Sequence, residues 1–126
     1  MKKTFVATLA VMMMASPAFA IGNCEKPQVV DIPLDTSQMS LPEFKSIKMR
    51  GDSYLEHAKS YLKCLDQIIY TNVPEDPIVS KAGKAHQEYA YEWASVWGDL
   101  NLACVNWEAS HASQYPGGCQ PMNPAG

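Results

Sequence analysis

The sequence predicts an all-α fold: a long antiparallel two-helix hairpin with an extended N-terminal arm and a C-terminal tail, held by two disulfides. Three observations carry this. Two long stretches repeat apolar residues at helical spacing, a short proline-bearing link separates them, and four cysteines lie outside an N-terminal leader.

Residues 1–20 read as the leader. Met1-Lys2-Lys3 is basic, Phe5 to Ala15 is apolar, and Ala18-Phe19-Ala20 is the small-x-small pattern after which a signal peptidase cuts. The apolar run is too short to span a membrane, and no later stretch is long and apolar enough. Met12, Met13 and Met14 belong to this leader and are not a metal-binding box. Cys24 lies near the cut, but Asn23 stands where a lipidated cysteine needs a small residue before it.

The expected mature chain is Ile21–Gly126, 106 residues, which allows one domain. Its expected destination is the periplasm or the outside of the cell. Removing Lys2 and Lys3 leaves eight basic against thirteen acidic side chains, a net charge of −5. That balance argues against nucleic acid and against anionic lipid as partners. Ten aromatic residues remain, more than two helices bury without help from tails, disulfides or a second copy.

Residues 21–40 form the arm. Asn23–Ser40 has no helical stripe and carries Pro27 and Pro33, so an extended, partly polyproline-like course is expected.

The first helix is predicted over 41–71. Ser40-Leu41-Pro42-Glu43 is a capping box with proline in the first turn. Phe44, Ile47, Gly51, Tyr54, Ala58, Tyr61, Leu65 and Ile68 then alternate steps of three and four, a heptad seam. Leu55, Leu62 and Ile69 widen it. On the other shoulder Ser46, Ser53 and Ser60 recur every seven residues in line with Cys64, a shallow groove in which the arm is expected to lie.

The second helix is predicted over 77–111. Asp76 caps it and Pro77 takes the first helical position. Ile78, Ala82, Ala85, Tyr89, Trp93, Val96, Leu100, Ala103 and Trp107 form one stripe. Gly83 and Gly98 weaken the interior by about 1 kcal/mol each, so the helix needs tertiary packing. The link Asn72–Asp76 is short, which makes the helices antiparallel neighbours. The hairpin thus covers 41–112, and 113–126 is a turn-rich tail with Pro116-Gly117-Gly118.

Reach decides the cysteine pairing. In a hairpin centred near Pro74, Cys104 faces the region of Phe44 and Cys64 faces Lys84. A Cys64–Cys104 bond would have to close a gap of roughly 30 Å along the helix, beyond disulfide geometry. The arm is long enough to bring Cys24 to Cys64, and the tail is long enough to bring Cys119 back to Cys104. Cys24–Cys64 and Cys104–Cys119 are therefore the expected bonds. No pair has C-x-x-C spacing, so zinc does not fit the pattern.

The same reading places Trp97 beside Cys104 at the edge of the main stripe, where a tail bonded at Cys119 would lay Pro121 and Met122 over it. Tyr91 points to the opposite face. Tyr91 and Trp97 are the candidate contact surface.

Chemistry is hard to find. Glu108 and His111 have E-x-x-H spacing but lack the second motif and the inward glutamates of a carboxylate-bridged site. His57 and His86 have no nucleophile beside them. The pairs Asp52/Glu56 and Glu88/Glu92 read as solvated helix faces. No haem, phosphate-loop or hydrolase motif is present, and nothing asks for a cofactor.

Cys24-Glu25-Lys26-Pro27, followed by prolines and a helix bearing Tyr61-Leu62-Lys63-Cys64, resembles a group of small exported proteobacterial proteins of unassigned function. They join a C-x-K-P arm to a Y-x-x-C helix. The resemblance covers residues 24–66 and implies export and a helical hairpin, with no activity attached. This chain departs from the pattern in Cys104, Cys119 and its aromatic second helix.

The expectation is a small exported cell-envelope protein, non-enzymatic, that binds an unknown protein partner or self-associates as a dimer through a helical face. A periplasmic carrier of a small apolar or aromatic ligand, held among the tryptophans of a helical bundle, is the alternative. A small hydrolase ranks last.

Overall fold

The structure is a computed structural model, and it describes residues 20–112 and 114–121. The expected leader, apart from Ala20, and Met122 of the tail lie outside the described residues. Along the chain come β1 (Ala20–Ile21), β2 (Cys24–Glu25), α1 (Leu41–Thr71) and α2 (Pro77–His111). The fold is the two-helix hairpin that the periodicity predicts, with both disulfides in the expected pairing.

Local chemistry sets the helix ends. The Ser40 hydroxyl accepts from the Glu43 N–H, while the Glu43 carboxylate accepts from the Ser40 N–H at 3.0 Å. Two orphan donors are thereby satisfied. At α2 the Asp76 carboxylate accepts from the Ile78 N–H at 3.0 Å, and Pro77 gives up an N–H that has no helical partner. The far end of α2 stops at Ala112, whose φ of +53° turns the chain back.

The seam of α1 buries Phe44, Ile47, Gly51, Tyr54, Leu55, Ala58, Tyr61 and Leu65. It meets Ala82, Tyr89, Val96, Leu100, Ala103, Cys104 and Trp107 of α2. Full burial of one large apolar side chain contributes about 1.5–3 kcal/mol, so these two rows supply most of the driving force. The register differs by three residues from the expected one: Trp107, not Cys104, lies against Phe44, the rings stacked 5.1 Å apart. Tyr115 of the tail meets both rings edge-on, at 5.8 Å and 6.0 Å.

The arm takes a different course from the one expected. Ser46, Ser53 and Ser60 stay exposed. The arm runs beside that shoulder and makes its polar contacts with α2. The Tyr89 hydroxyl donates to the Pro27 carbonyl at 2.9 Å, and the Asn106 amide donates to the Leu34 carbonyl at 2.7 Å. The Trp107 indole N–H donates to the Met39 carbonyl at 3.0 Å. Thr36, 0% exposed, donates its hydroxyl proton to the Ala103 carbonyl. On α2 the long side chains of Tyr89, Asn106 and Trp107 reach the arm's carbonyls and satisfy them. The start of the arm is extended, as expected, and pairs with the residues just before it. β1 and β2 pair antiparallel, Ile21 opposite Cys24, around Gly22 at φ +58°.

Candidate functional site

The two disulfides frame the molecule. Cys24 and Cys64 have Cα atoms 5.6 Å apart, as do Cys104 and Cys119. The first pins the start of the arm to the last third of α1, and the second pins the tail to α2 near Trp107. Cys104 is 0% and Cys119 2% exposed, so that bond is sealed from solvent.

The predicted contact residues separate. Tyr91 is 72% exposed on the outer face of α2. Trp97 is half-buried and packs against the core. They lie on different sides of the helix and form no common surface. Pro121 is buried.

Tyr91 has other company. Leu102 and Val105 are each 51% exposed. With Ser95, Gly98 and Ala109 they follow Tyr91 at steps of 4, 3, 4, 3 and 4, one outer stripe of α2 that carries no charge. A Cβ on Gly98 would meet nothing within 4 Å. Leu34 of the arm, 46% exposed, adjoins this stripe through the Asn106 bond to its carbonyl. The spacing that marks the stripe is present in the sequence, but the stronger inward stripe masks it.

The histidines have structural neighbours. His86 Nε2 lies 3.1 Å from the Asp66 carboxylate across the hairpin. His111 stacks on Trp107 with ring centres 4.3 Å apart, one ring nitrogen 2.9 Å from the Trp107 carbonyl. Glu108 turns instead toward Cys119, 3.3 Å from its sulfur, so the E-x-x-H pair does not converge. Cys104, Glu108 and Cys119 bring three ligand-type atoms within 4.8 Å of one another. The two sulfurs are bonded to each other, which leaves no thiolate for a metal.

His57 faces two open clefts between the arm and α1. One, of about 370 Å³, is lined by Asn23–Pro27, Ser60, Tyr61 and Cys64. The other, of about 710 Å³, is lined by Pro27–Asp31 with Met49, Arg50, Ser53 and Tyr54. Both border the serine shoulder that the arm leaves uncovered.

A smaller cleft, of about 180 Å³, lies on the other side of the arm. Ile21, Lys26, Tyr61, Glu88, Tyr89 and Glu92 line it together with Ala85. Tyr61 and Tyr89 meet edge to face at 4.8 Å. The Lys26 ammonium stands 5.1 Å from the Tyr89 ring centre and 3.8 Å from a Glu92 oxygen. Burial raises the Tyr54, Tyr61 and Tyr89 hydroxyls above the usual phenol range, Tyr89 the most. The charge of Glu88 adds to this at Tyr61, and that of Glu92 at Tyr54 and Tyr89. The Tyr54 hydroxyl lies beside the Tyr89 hydroxyl and the Glu92 carboxylate without completing a well-formed hydrogen bond to either. Sequence spacing shows Glu88 and Glu92 as a pair, but not that the arm delivers Ile21 and Lys26 to them.

Among known proteins, no family model, no curated protein and no solved structure matches the chain.

Proposed function

We propose that this is a small exported cell-envelope protein, non-enzymatic, that binds another protein or a second copy of itself through the outer face of α2. The observation that carries the reading is the uncharged stripe of Tyr91, Ser95, Gly98, Leu102, Val105 and Ala109. It runs about 27 Å along the helix. A solvent-facing side of an acidic chain ordinarily carries charge. Six consecutive stripe positions without any, three of them large, apolar or aromatic and at least half exposed, suit an interface better than bulk water. The small residues between them let a second helix approach closely.

Export is supported by the leader pattern and by two disulfides, which persist in oxidising compartments. No helix among the described residues is long and apolar enough to cross a membrane.

The test is sedimentation of the exported protein over a wide concentration range, with a photo-crosslinker at position 102 in cells. Concentration-dependent mass, or a defined adduct at position 102, supports the reading. Leu102→Lys with Val105→Glu should abolish it and leave helical circular dichroism unchanged. A monomer without adduct overturns it, and a small molecule retained in the native mass spectrum transfers support to a carrier.

A further inference from the structure

We infer that removal of the leader after Ala20 completes a binding site in the cleft between the arm and α2, in which the new N-terminal ammonium of Ile21 is held by Glu88 and Glu92. The inference rests on the reading of residues 1–20 as a removable leader. The step is hydrolysis by a signal peptidase. One water is consumed, Ala20 leaves with a carboxylate, and Ile21 keeps the amine, which takes up a proton.

Four observations converge on this cleft. First, Ile21 lines it and is already half-buried against the core. Second, the position of its nitrogen is constrained. Ile21 pairs with Cys24, and Cys24 is bonded to Cys64, so the new terminus lies three residues from a covalent anchor. An ammonium on so short a leash retains little freedom to lose.

Third, the cleft carries a net negative charge that attracts a cation. Lys26 faces both Glu88 and Glu92 in the cleft, a net charge of −1, and one ammonium brings the cleft to neutrality. Tyr61 from α1 and Tyr89 from α2 supply the rest of the wall, and their ring faces favour a cation. Fourth, a donor is missing. Lys26 reaches one oxygen of Glu92. The other, Oε1, is buried and has no hydrogen-bond partner among the described residues; the Tyr54 hydroxyl lies beside the carboxylate but makes no well-formed bond to it. Before cleavage the Ile21 nitrogen carries one uncharged peptide N–H. After cleavage it carries a positive charge and additional donors of the kind a buried carboxylate oxygen requires.

The consequence is a fold that tightens only after processing. With the leader attached, the cleft retains an unpaired carboxylate oxygen and its negative charge.

The experiment begins with intact mass and N-terminal sequencing of the exported protein. A chain that begins at any residue other than Ile21 overturns the inference together with the assigned cut. If it begins at Ile21, the α-amine is titrated by NMR in the wild type and in Glu88→Gln and Glu92→Gln variants. A free terminal amine titrates near 8, and neighbouring carboxylates should raise this by about one pH unit or more. At least one glutamine variant should return it to the ordinary value. A second comparison uses a chain that retains Ala20. Its melting temperature at pH 7 should fall below that of the processed chain, and the difference should shrink in the same glutamine variant. An α-amine with an ordinary pKa, indifferent to both glutamates, overturns the inference while leaving the export reading intact.

Discussion

Gly51 of α1 lies so close to Leu100 of α2 that a Cβ added at Gly51 would meet Leu100 Cδ2 at 2.5 Å. Leu100 is 3% exposed, and its Cδ1 and Cγ would lie at 2.6 Å and 2.9 Å as well, so more than the tip of the side chain would have to shift. Alanine favours a helix interior over glycine by about 1 kcal/mol, but overpacking a tight core costs about 1–3 kcal/mol. Gly51→Ala should therefore lower stability, whereas Gly83→Ala should raise it by about 1 kcal/mol, since a Cβ there meets nothing within 4 Å. Urea unfolding midpoints check the opposite signs. Two shifts in the same direction would mean that the helices are not in this register.

Thr36 anchors the arm by a single buried hydroxyl, bonded to the Ala103 carbonyl across 67 residues of sequence. Thr36→Val keeps the shape and removes the donor. The expected loss is about 1 kcal/mol, together with faster amide exchange in the neighbouring arm residues while α1 stays protected. Unchanged exchange would show that the arm is held without this bond.

The disulfides close loops with sequence separations of 40 and 15. By the chain-entropy relation they contribute about 4 and about 3 kcal/mol. Cys24→Ser/Cys64→Ser should release the arm to limited proteolysis before the hairpin is cut. Cys104→Ser/Cys119→Ser should release the tail and expose Trp107, shifting its fluorescence to longer wavelength. Equal resistance to protease in all three proteins would contradict the stapling.

Alkaline pH should unfold the protein. Tyr54, Tyr61 and Tyr89 have raised pKa values in the folded state, chiefly because burial disfavours the phenolate. The folded state then holds protons that the unfolded state releases above about pH 10. The stability linked to these groups is present in full below that pH and is lost as pH rises through the folded-state values. Tyrosinate absorbance should include a late phase, from the buried three, that rises together with the loss of helical signal. A single phase at the ordinary pKa, with the helices intact, would show that the cluster is solvated.

The hairpin itself was legible because its signals are local. Ser40 with Glu43, and Asp76 with Pro77, set helix starts through bonds that span three residues or fewer. The seams repeat within a turn or two. The disulfide pairing was legible for a related reason: Cys64 and Cys104 lie too far apart along rigid helices, so chain length alone selects between partners.

The arm and the sites were not legible in this way. Whether Ser46, Ser53 and Ser60 form a bed or remain bare depends on what α2 offers instead, and that competition is settled by Tyr89, Asn106 and Trp107, more than sixty residues from the carbonyls they bind. The same holds for the cleft that joins Ile21 and Lys26 to Glu88 and Glu92. The sequence by itself determined where the helices begin and end and which cysteines can meet, because capping, periodicity and reach act along the chain. Only the tertiary structure decided the course of the arm, the closeness of Gly51 to Leu100, and which carboxylate oxygen is left without a donor. Those depend on groups that become neighbours only after the hairpin has closed.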